Sequence, residues 1–81
     1  MSKLEIAMKV IEEHYQDAPY GIFDTRNIVG DFMSTIYEGN GLKIDICYGY
    51  KYFEVFGLTK EEFQQLESYY TALVHHYRRE S

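Results

Sequence analysis

Apolar and polar residues alternate most regularly over residues 42–48 of the chain. Leucine, isoleucine and tyrosine occupy the even positions, and the charged residues Lys43 and Asp45 lie between them. This period of two predicts a β-strand with one buried face. The pair Gly49-Tyr50 follows, and a glycine-first pair is typical of a type II′ turn. The β-rich residues 51–56 then predict a second strand, antiparallel to the first.

A two-residue turn at Gly49-Tyr50 sets the register of this hairpin. It pairs Asp45 with Glu54 and Cys47 with Tyr52 across the two strands. The same register gathers four apolar side chains on one face: Ile44, Ile46, Phe53 and Val55. A slip of one residue would scatter these side chains over both faces. The turn and the apolar pattern therefore predict the same pairing.

A further strand is predicted at residues 32–38, joined to the hairpin by the turn Asn40-Gly41. Asn-Gly is the strongest short signal for a two-residue hairpin turn. This turn pairs Glu38 with Lys43, and opposite charges favour that register. It also places three side chains on the face of the apolar hairpin residues: Met33, Thr35 and Tyr37. The prediction is a three-stranded antiparallel meander with residues 42–48 in the centre.

Two capping boxes mark the starts of two amphipathic helices. The first begins at Ser2 and predicts a helix at about residues 3–16, before Pro19. The second begins at Thr59, after which apolar residues recur at helical spacing to the end of the chain: Phe63, Leu66, Tyr70, Leu73 and Tyr77. Residues 20–31 mix turn-forming and apolar residues, so we interpret them as a packed connection with about one helical turn.

The predicted order of elements is therefore α-β-β-β-α. Both helices are expected to pack on one face of the sheet, which gives an α+β fold with two helices on a three-stranded meander. With 81 residues, the chain has room for one core, so residues 1–81 are expected to form a single domain.

Composition and charge limit the classes of function. Apolar residues make up 46% of the chain, which is ample for a folded globule. The net charge of −5 argues against direct contact with nucleic acid, because phosphate would be repelled. One cysteine cannot form an internal disulfide, and the sequence contains neither a secretory signal nor an apolar run of membrane length. A cytoplasmic location without membrane contact is expected.

Candidate catalytic and metal-binding residues are few. Cys47 has no histidine placed locally to activate it, so we interpret it as a small strand residue. His75 and His76 are adjacent on a helix and are expected to point in different directions, without the i,i+4 spacing of helical metal sites. Phosphate loops, nucleophile elbows and zinc spacings do not occur. The sequence therefore predicts no catalytic residue, no metal site and no cofactor.

Asp45 and Glu54 form the least ordinary pair of the hairpin. Like charges directly opposite each other are unfavourable, so a cation or solvent must compensate for them. Lys43 and Lys51 are the nearest candidates for that cation. Carboxylate pairs also act as acid and base or as cation ligands, although such a site needs a pocket and further ligands.

The outer face of the predicted sheet supplies the candidate protein-binding residues. Four apolar side chains fall there: Phe32, Ile36, Tyr52 and Phe56. Either the connection 20–31 or the first helix covers them, or they meet a second copy of the chain or a target protein. The acidic candidates for the same role are Asp45, Glu54, Glu61 and Glu62, and they would attract a basic partner.

Residues 44–48 and 52–58, read as Ile-Asp-Ile-Cys-Tyr and Tyr-Phe-Glu-Val-Phe-Gly-Leu, resemble small uncharacterised proteins carried by phages and mobile elements of Gram-positive bacteria. This resemblance implies a short accessory protein, such as an inhibitor of a host defence enzyme of the CRISPR effector kind. Double-stranded-RNA-binding domains share the α-β-β-β-α order, but their last helix has a basic start. Here Glu61 and Glu62 follow a single lysine, so RNA binding is rejected.

We therefore predict a small acidic, non-enzymatic protein-binding domain that inhibits a host nucleic-acid enzyme of defence. The partner is expected to be a basic nucleic-acid-binding enzyme. The alternative is a self-associating structural or regulatory protein, such as a homodimer. A small enzyme using Asp45 and Glu54 is the third hypothesis.

Overall fold

The computed structural model describes residues 1–24 and 33–80 of the chain. It confirms the α+β class, with two helices and one sheet. In chain order the elements are α1 (Lys3–Glu13), a 3₁₀ helix (Tyr15–Asp17), β1 (Gly21–Phe23), β2 (Met33–Gly39), β3 (Leu42–Cys47), β4 (Tyr52–Phe56) and α2 (Lys60–Glu80). The described sheet has four strands in the order β1-β4-β3-β2, with β1 parallel to β4 and the other pairs antiparallel.

The fourth strand, β1, corrects the prediction of a three-stranded meander. It lies inside residues 20–31, for which the sequence predicts a connection, and it pairs Ile22 with Phe53 of β4. Ile22 is buried among the core residues, whereas Phe23 is exposed. Three residues are too few to show a period of two, so the pattern gave no strand signal. The remainder of the predicted connection, residues 25–31, lies outside the described residues.

Both capping boxes form as predicted. The Glu5 N–H donates to Ser2 Oγ at 3.1 Å, and the Ser2 N–H donates to Glu5 Oε1 at 2.9 Å. These hydrogen bonds hold the pKa of Glu5 below its ordinary value. At α2 the Glu62 N–H and the Thr59 hydroxyl make the corresponding contact at 3.1 Å. Helix α1 ends at Glu13 and the chain continues as the 3₁₀ helix, so the predicted limit of residue 16 was too long.

The turn Asn40-Gly41 has the conformation that its sequence predicts. Both residues have positive φ, 54° at Asn40 and 77° at Gly41, as a type I′ turn requires. The predicted pairing of Glu38 with Lys43 is confirmed.

The β3–β4 hairpin has the predicted register but a different turn. Asp45 pairs with Glu54 and Cys47 with Tyr52. Residues 48–51 form a four-residue loop, closed by the Lys51 N–H donating to the Cys47 carbonyl at 2.7 Å. The positive φ of 60° is at Lys51, whereas Gly49 lacks the positive φ of a type II′ turn. The predicted two-residue turn and the four-residue loop of the structure are both centred between residues 49 and 50, so they give the same pairing of β3 with β4.

A bulge in β2 overturns part of the predicted face assignment. Tyr37 pairs with Ile44 as expected, but the register shifts between Thr35 and Tyr37. Thr35 consequently pairs with Asp45 and Met33 with Cys47, so these two residues belong to the outer face and not to the helix side. One extra residue in a strand reverses the facing of every residue beyond it.

The core lies between the two helices and the inner face of the sheet. Its aromatic centre joins the 3₁₀ helix to α2, since the Tyr15 and Tyr77 rings stack at 4.5 Å between centroids. The Tyr70 ring meets Phe53 edge-on at 6.4 Å, which ties α2 to β4. Burial raises the pKa of Tyr70 to about 12. Within the described chain, neither helix combines the length and the apolar character needed to cross a bilayer.

Candidate protein-binding site

The predicted carboxylate pair is buried on the outer face of the sheet. Asp45 is 8% exposed and Glu54 is 4% exposed. The Thr35 hydroxyl donates to Asp45 Oδ1 at 2.7 Å, and Lys43 Nζ lies 3.9 Å from Asp45 Oδ2. Lys43 is therefore the compensating cation, and the bulge in β2 supplies the hydroxyl donor that the sequence did not reveal.

The Glu54 carboxyl is destabilised in its ionised form by this arrangement. Burial raises the pKa of the Glu54 carboxyl, the facing Asp45 carboxylate raises it further, and Lys43 opposes both effects. Across residues 1–24 and 33–80, three or more His, Cys, Asp or Glu side chains do not gather in a group able to hold a metal ion. Within the described chain, the pair lacks the further carboxylates that a Ca²⁺ or Mg²⁺ site would require.

The apolar residues that the sequence assigns to the outer face do not form one exposed patch in the described part of the chain. Tyr52 is only 7% exposed, because the Phe23 ring packs edge-on against it at 5.2 Å between centroids. Phe56 is half-buried, with Lys43 Nζ 5.9 Å from its ring centroid. Ile36 packs against the core instead, so its predicted place on the outer face is wrong. Phe32 lies outside the described residues.

The acidic candidates on α2 lie away from the carboxylate pair. Glu61 is exposed in the first turn of α2, while the Glu62 carboxylate accepts from the Thr59 N–H at 2.8 Å and is occupied as a cap. Both follow the end of β4 at Phe56, whereas the loop 48–51 precedes the start of that strand. The structure therefore brings Asp45, Tyr52 and Glu54 to one face of the β3–β4 hairpin, whereas Glu61 and Glu62 belong to the first turn of α2.

The most unusual surface lies at the end of the sheet that carries the loop 48–51. Of the described residues, five large apolar side chains are exposed, and four of them belong to this end: Tyr20 (71%), Phe23 (42%), Tyr48 (49%) and Tyr50 (70%). We call these four residues the aromatic end. Clustered exposed rings of this kind mark sites of contact with other molecules.

Backbone and ring contacts hold the aromatic end in place. The Tyr20 N–H donates to the Lys51 carbonyl at 2.9 Å, and Lys51 Nζ lies 6.0 Å from the Tyr20 ring centroid. Lys51 thus contacts Tyr20 and not the carboxylate pair. The Tyr50 ring lies 6.5 Å from the buried Tyr52 ring, which Phe23 also contacts. Tyr52 is therefore the support beneath two of the exposed rings.

Sequence reasoning missed the aromatic end, although the chain contains nine tyrosines. The sequence pattern assigns Tyr48-Gly49-Tyr50 to a strand end and a turn. Two tyrosines in a hairpin loop were an available signal, since loops usually carry small polar residues. Comparison of the chain with protein-family models, with curated proteins and with solved structures gave no match.

Proposed function

We propose that the chain is a non-enzymatic protein-binding domain that contacts its partner through the aromatic end. The observation that carries this proposal is the exposure of four aromatic rings at one end of the sheet. Tyrosine rings bury a large area at a small cost in side-chain entropy, and they are enriched among the residues that dominate interface energies.

The proposed partner is a basic nucleic-acid-binding enzyme of a host defence system, which the chain inhibits in the cytoplasm by covering a positively charged surface. The net charge of −5 favours such a partner. Exposed carboxylates on both helices, among them Glu5, Glu13 and Glu61, supply the attraction over a distance. The buried Asp45 and Glu54 are assigned to the support of this surface and not to direct contact.

The test is capture of a partner from a Gram-positive host lysate, followed by calorimetry with the purified partner. Tyr50→Ala should weaken binding by about tenfold or more, as expected for loss of one anchor ring. Gln65→Ala, an exposed change on α2, is the control and should bind like the parent chain. Equal affinities for the two variants would remove the aromatic end from the interface.

Sedimentation of the chain alone addresses the alternative of self-association. If the parent chain is a dimer and Tyr50→Ala makes it a monomer, the aromatic end joins two copies, and the proposal of a host partner fails. A monomeric parent chain excludes that alternative at the concentration measured.

A further inference from the structure

The aromatic end presents tyrosine rings that the fold leaves open to a ligand. Tyr48 and Tyr50 are exposed in the loop 48–51, and Tyr50 stays exposed although the centroid of the Tyr52 ring lies 6.5 Å from its own. The face of a phenol ring carries partial negative charge, so it attracts a cation at close range. The group that contacts these two rings directly is therefore expected to be positively charged.

One ring of the aromatic end already has a cation beside it. Lys51 Nζ lies 6.0 Å from the centroid of the Tyr20 ring, at the outer limit of cation–π contact. Lys51 is exposed, so its ammonium group stays in contact with water. The fold thus contains one example of the contact that a ligand cation would make with Tyr48 or Tyr50.

The charges along the segments that build the aromatic end also suit a cationic ligand. Asp17 and Asp24 are both exposed, one before and one after the segment that carries Tyr20 and Phe23. Lys51 is the single basic residue in the sequence of residues 17–24 and 48–51. The charge of these segments is therefore negative even with Lys51 included, as it is for the whole chain, and it complements a cation on the partner.

We propose, on the basis of the protein-binding function above, that the aromatic end recognises arginine side chains of its partner through Tyr48 and Tyr50. A guanidinium group is planar and stacks on an aromatic ring, and it is more weakly hydrated than an ammonium group. Arginine therefore gives up less hydration than lysine when it moves from water onto a ring. Surfaces that bind nucleic acid are rich in arginine, which agrees with the class of partner proposed above.

The test follows the amide chemical shifts of the full chain during titration with blocked tetra-arginine, tetra-lysine and tetra-citrulline peptides at constant ionic strength. Tetra-arginine should give saturable shifts in residues 20–23 and 48–51. Tetra-lysine should bind there more weakly, by about threefold or more, because an ammonium group stacks less well on a ring. Tetra-citrulline has nearly the shape of tetra-arginine without its charge, and it should give no saturable shifts in these residues.

Matched substitutions separate ring stacking from apolar contact and from net charge. Tyr50→Phe keeps the ring and should bind tetra-arginine like the parent chain, whereas Tyr50→Leu is apolar without a ring and should bind about threefold more weakly. Lys51→Asn removes the ammonium group beside the rings, and asparagine suits the φ of 60° at this position. It should bind tetra-arginine more tightly than Lys60→Asn, which removes the same charge from the start of α2.

Equal affinities for tetra-arginine and tetra-lysine, or equal affinities of the parent and Tyr50→Leu chains for tetra-arginine, would refute arginine recognition. The captured partner distinguishes this failure from failure of the proposed function. If Tyr50→Ala weakens partner binding and Tyr50→Leu does not, the aromatic end is an interface that does not recognise arginine. If neither substitution weakens partner binding while tetra-arginine still binds at residues 48–51, arginine recognition stands and the function proposed for this end fails.

Discussion

Replacement of Glu54 by glutamine is expected to stabilise the protein. Glutamine has nearly the same size as glutamate, but it removes one of two buried carboxylates that face each other across β3 and β4. Like charges directly opposite on two strands cost up to about 1 kcal/mol, and burial adds to that cost. Asp45 keeps its contacts with Thr35 and Lys43. We expect Glu54→Gln to raise the free energy of unfolding by about 1 kcal/mol at pH 7.

The pH dependence gives a sharper form of the same prediction. The pKa of Glu54 is raised in the folded state above its ordinary value of 4.5, so the folded chain binds more protons than the unfolded chain in that range. Its contribution to stability is therefore greatest at low pH and is lost as the pH rises from about 4.5 through the raised pKa. The advantage of Glu54→Gln should be largest at pH 7 and should shrink towards pH 4.

Urea denaturation of both chains at pH 4, 5, 6 and 7 measures this difference. In thermal unfolding of a chain of this size, a gain of about 1 kcal/mol in the free energy of unfolding raises Tm by about 4–8 °C. Glu67→Gln removes one exposed carboxylate from α2 and serves as the control for net charge. Asp45→Asn should gain less than Glu54→Gln, because it weakens the contacts with Thr35 and Lys43. A Glu54→Gln chain no more stable than the parent at pH 7 would refute the electrostatic argument.

Three further predictions concern the turns, the rings and the charge. Gly57→Ala should lower the free energy of unfolding, measured by urea denaturation, by more than about 2 kcal/mol. Gly57 has a φ of 103°, and an added Cβ would lie 2.0 Å from the Gly41 carbonyl oxygen. Gly49→Ala should be tolerated, because a Cβ added at Gly49 meets open space. Tyr52→Ala should cost about 3 kcal/mol of stability, whereas Tyr50→Ala should cost less than about 0.5 kcal/mol; equal thermal losses would contradict the assigned burial. Affinity for a captured basic partner should fall as salt rises from low to high concentration, and a constant Kd would remove charge from the recognition.

The β-hairpin could be predicted closely because several local signals agree in it. Alternation from Leu42 onwards, the Asn40-Gly41 turn and the pairing of Glu38 with Lys43 all favour one register, and the structure has that register between β3 and β4 and between β3 and residues 37–39 of β2. The capping boxes likewise determine where α1 and α2 begin, since side chain and backbone satisfy each other within four residues.

The bulge in β2 could not be predicted from the same signals. Ile36 and Tyr37 are adjacent and both apolar, so a period of two assigns them to opposite faces, whereas both pack against the core. The extra residue is accommodated by a backbone irregularity that side-chain pattern does not record. Its consequence reaches the carboxylate pair, because only the shifted register brings the Thr35 hydroxyl to Asp45. The sequence pattern does not predict the Thr35 hydroxyl as hydrogen-bond donor to Asp45, because it does not predict which side chains of β2 lie on the outer face.

Strand β1, which the sequence pattern does not predict, accounts for half of the aromatic end, namely Tyr20 and Phe23. Pairing of β1 with β4 places Phe23 beside Glu54 and lets its ring cover Tyr52. The backbone just before β1 joins Tyr20 to Lys51 of the loop. Residues 20–31 are one of the alternatives that the sequence leaves open for covering the outer face, and Phe23 from this segment does cover Tyr52. Without β1, Tyr52 would be exposed on that face, and Tyr20 and Phe23 would have no fixed place. With β1 in the sheet, Tyr52 becomes a buried support, and the exposed aromatic surface moves to the end of the sheet, where the proposed contact now lies.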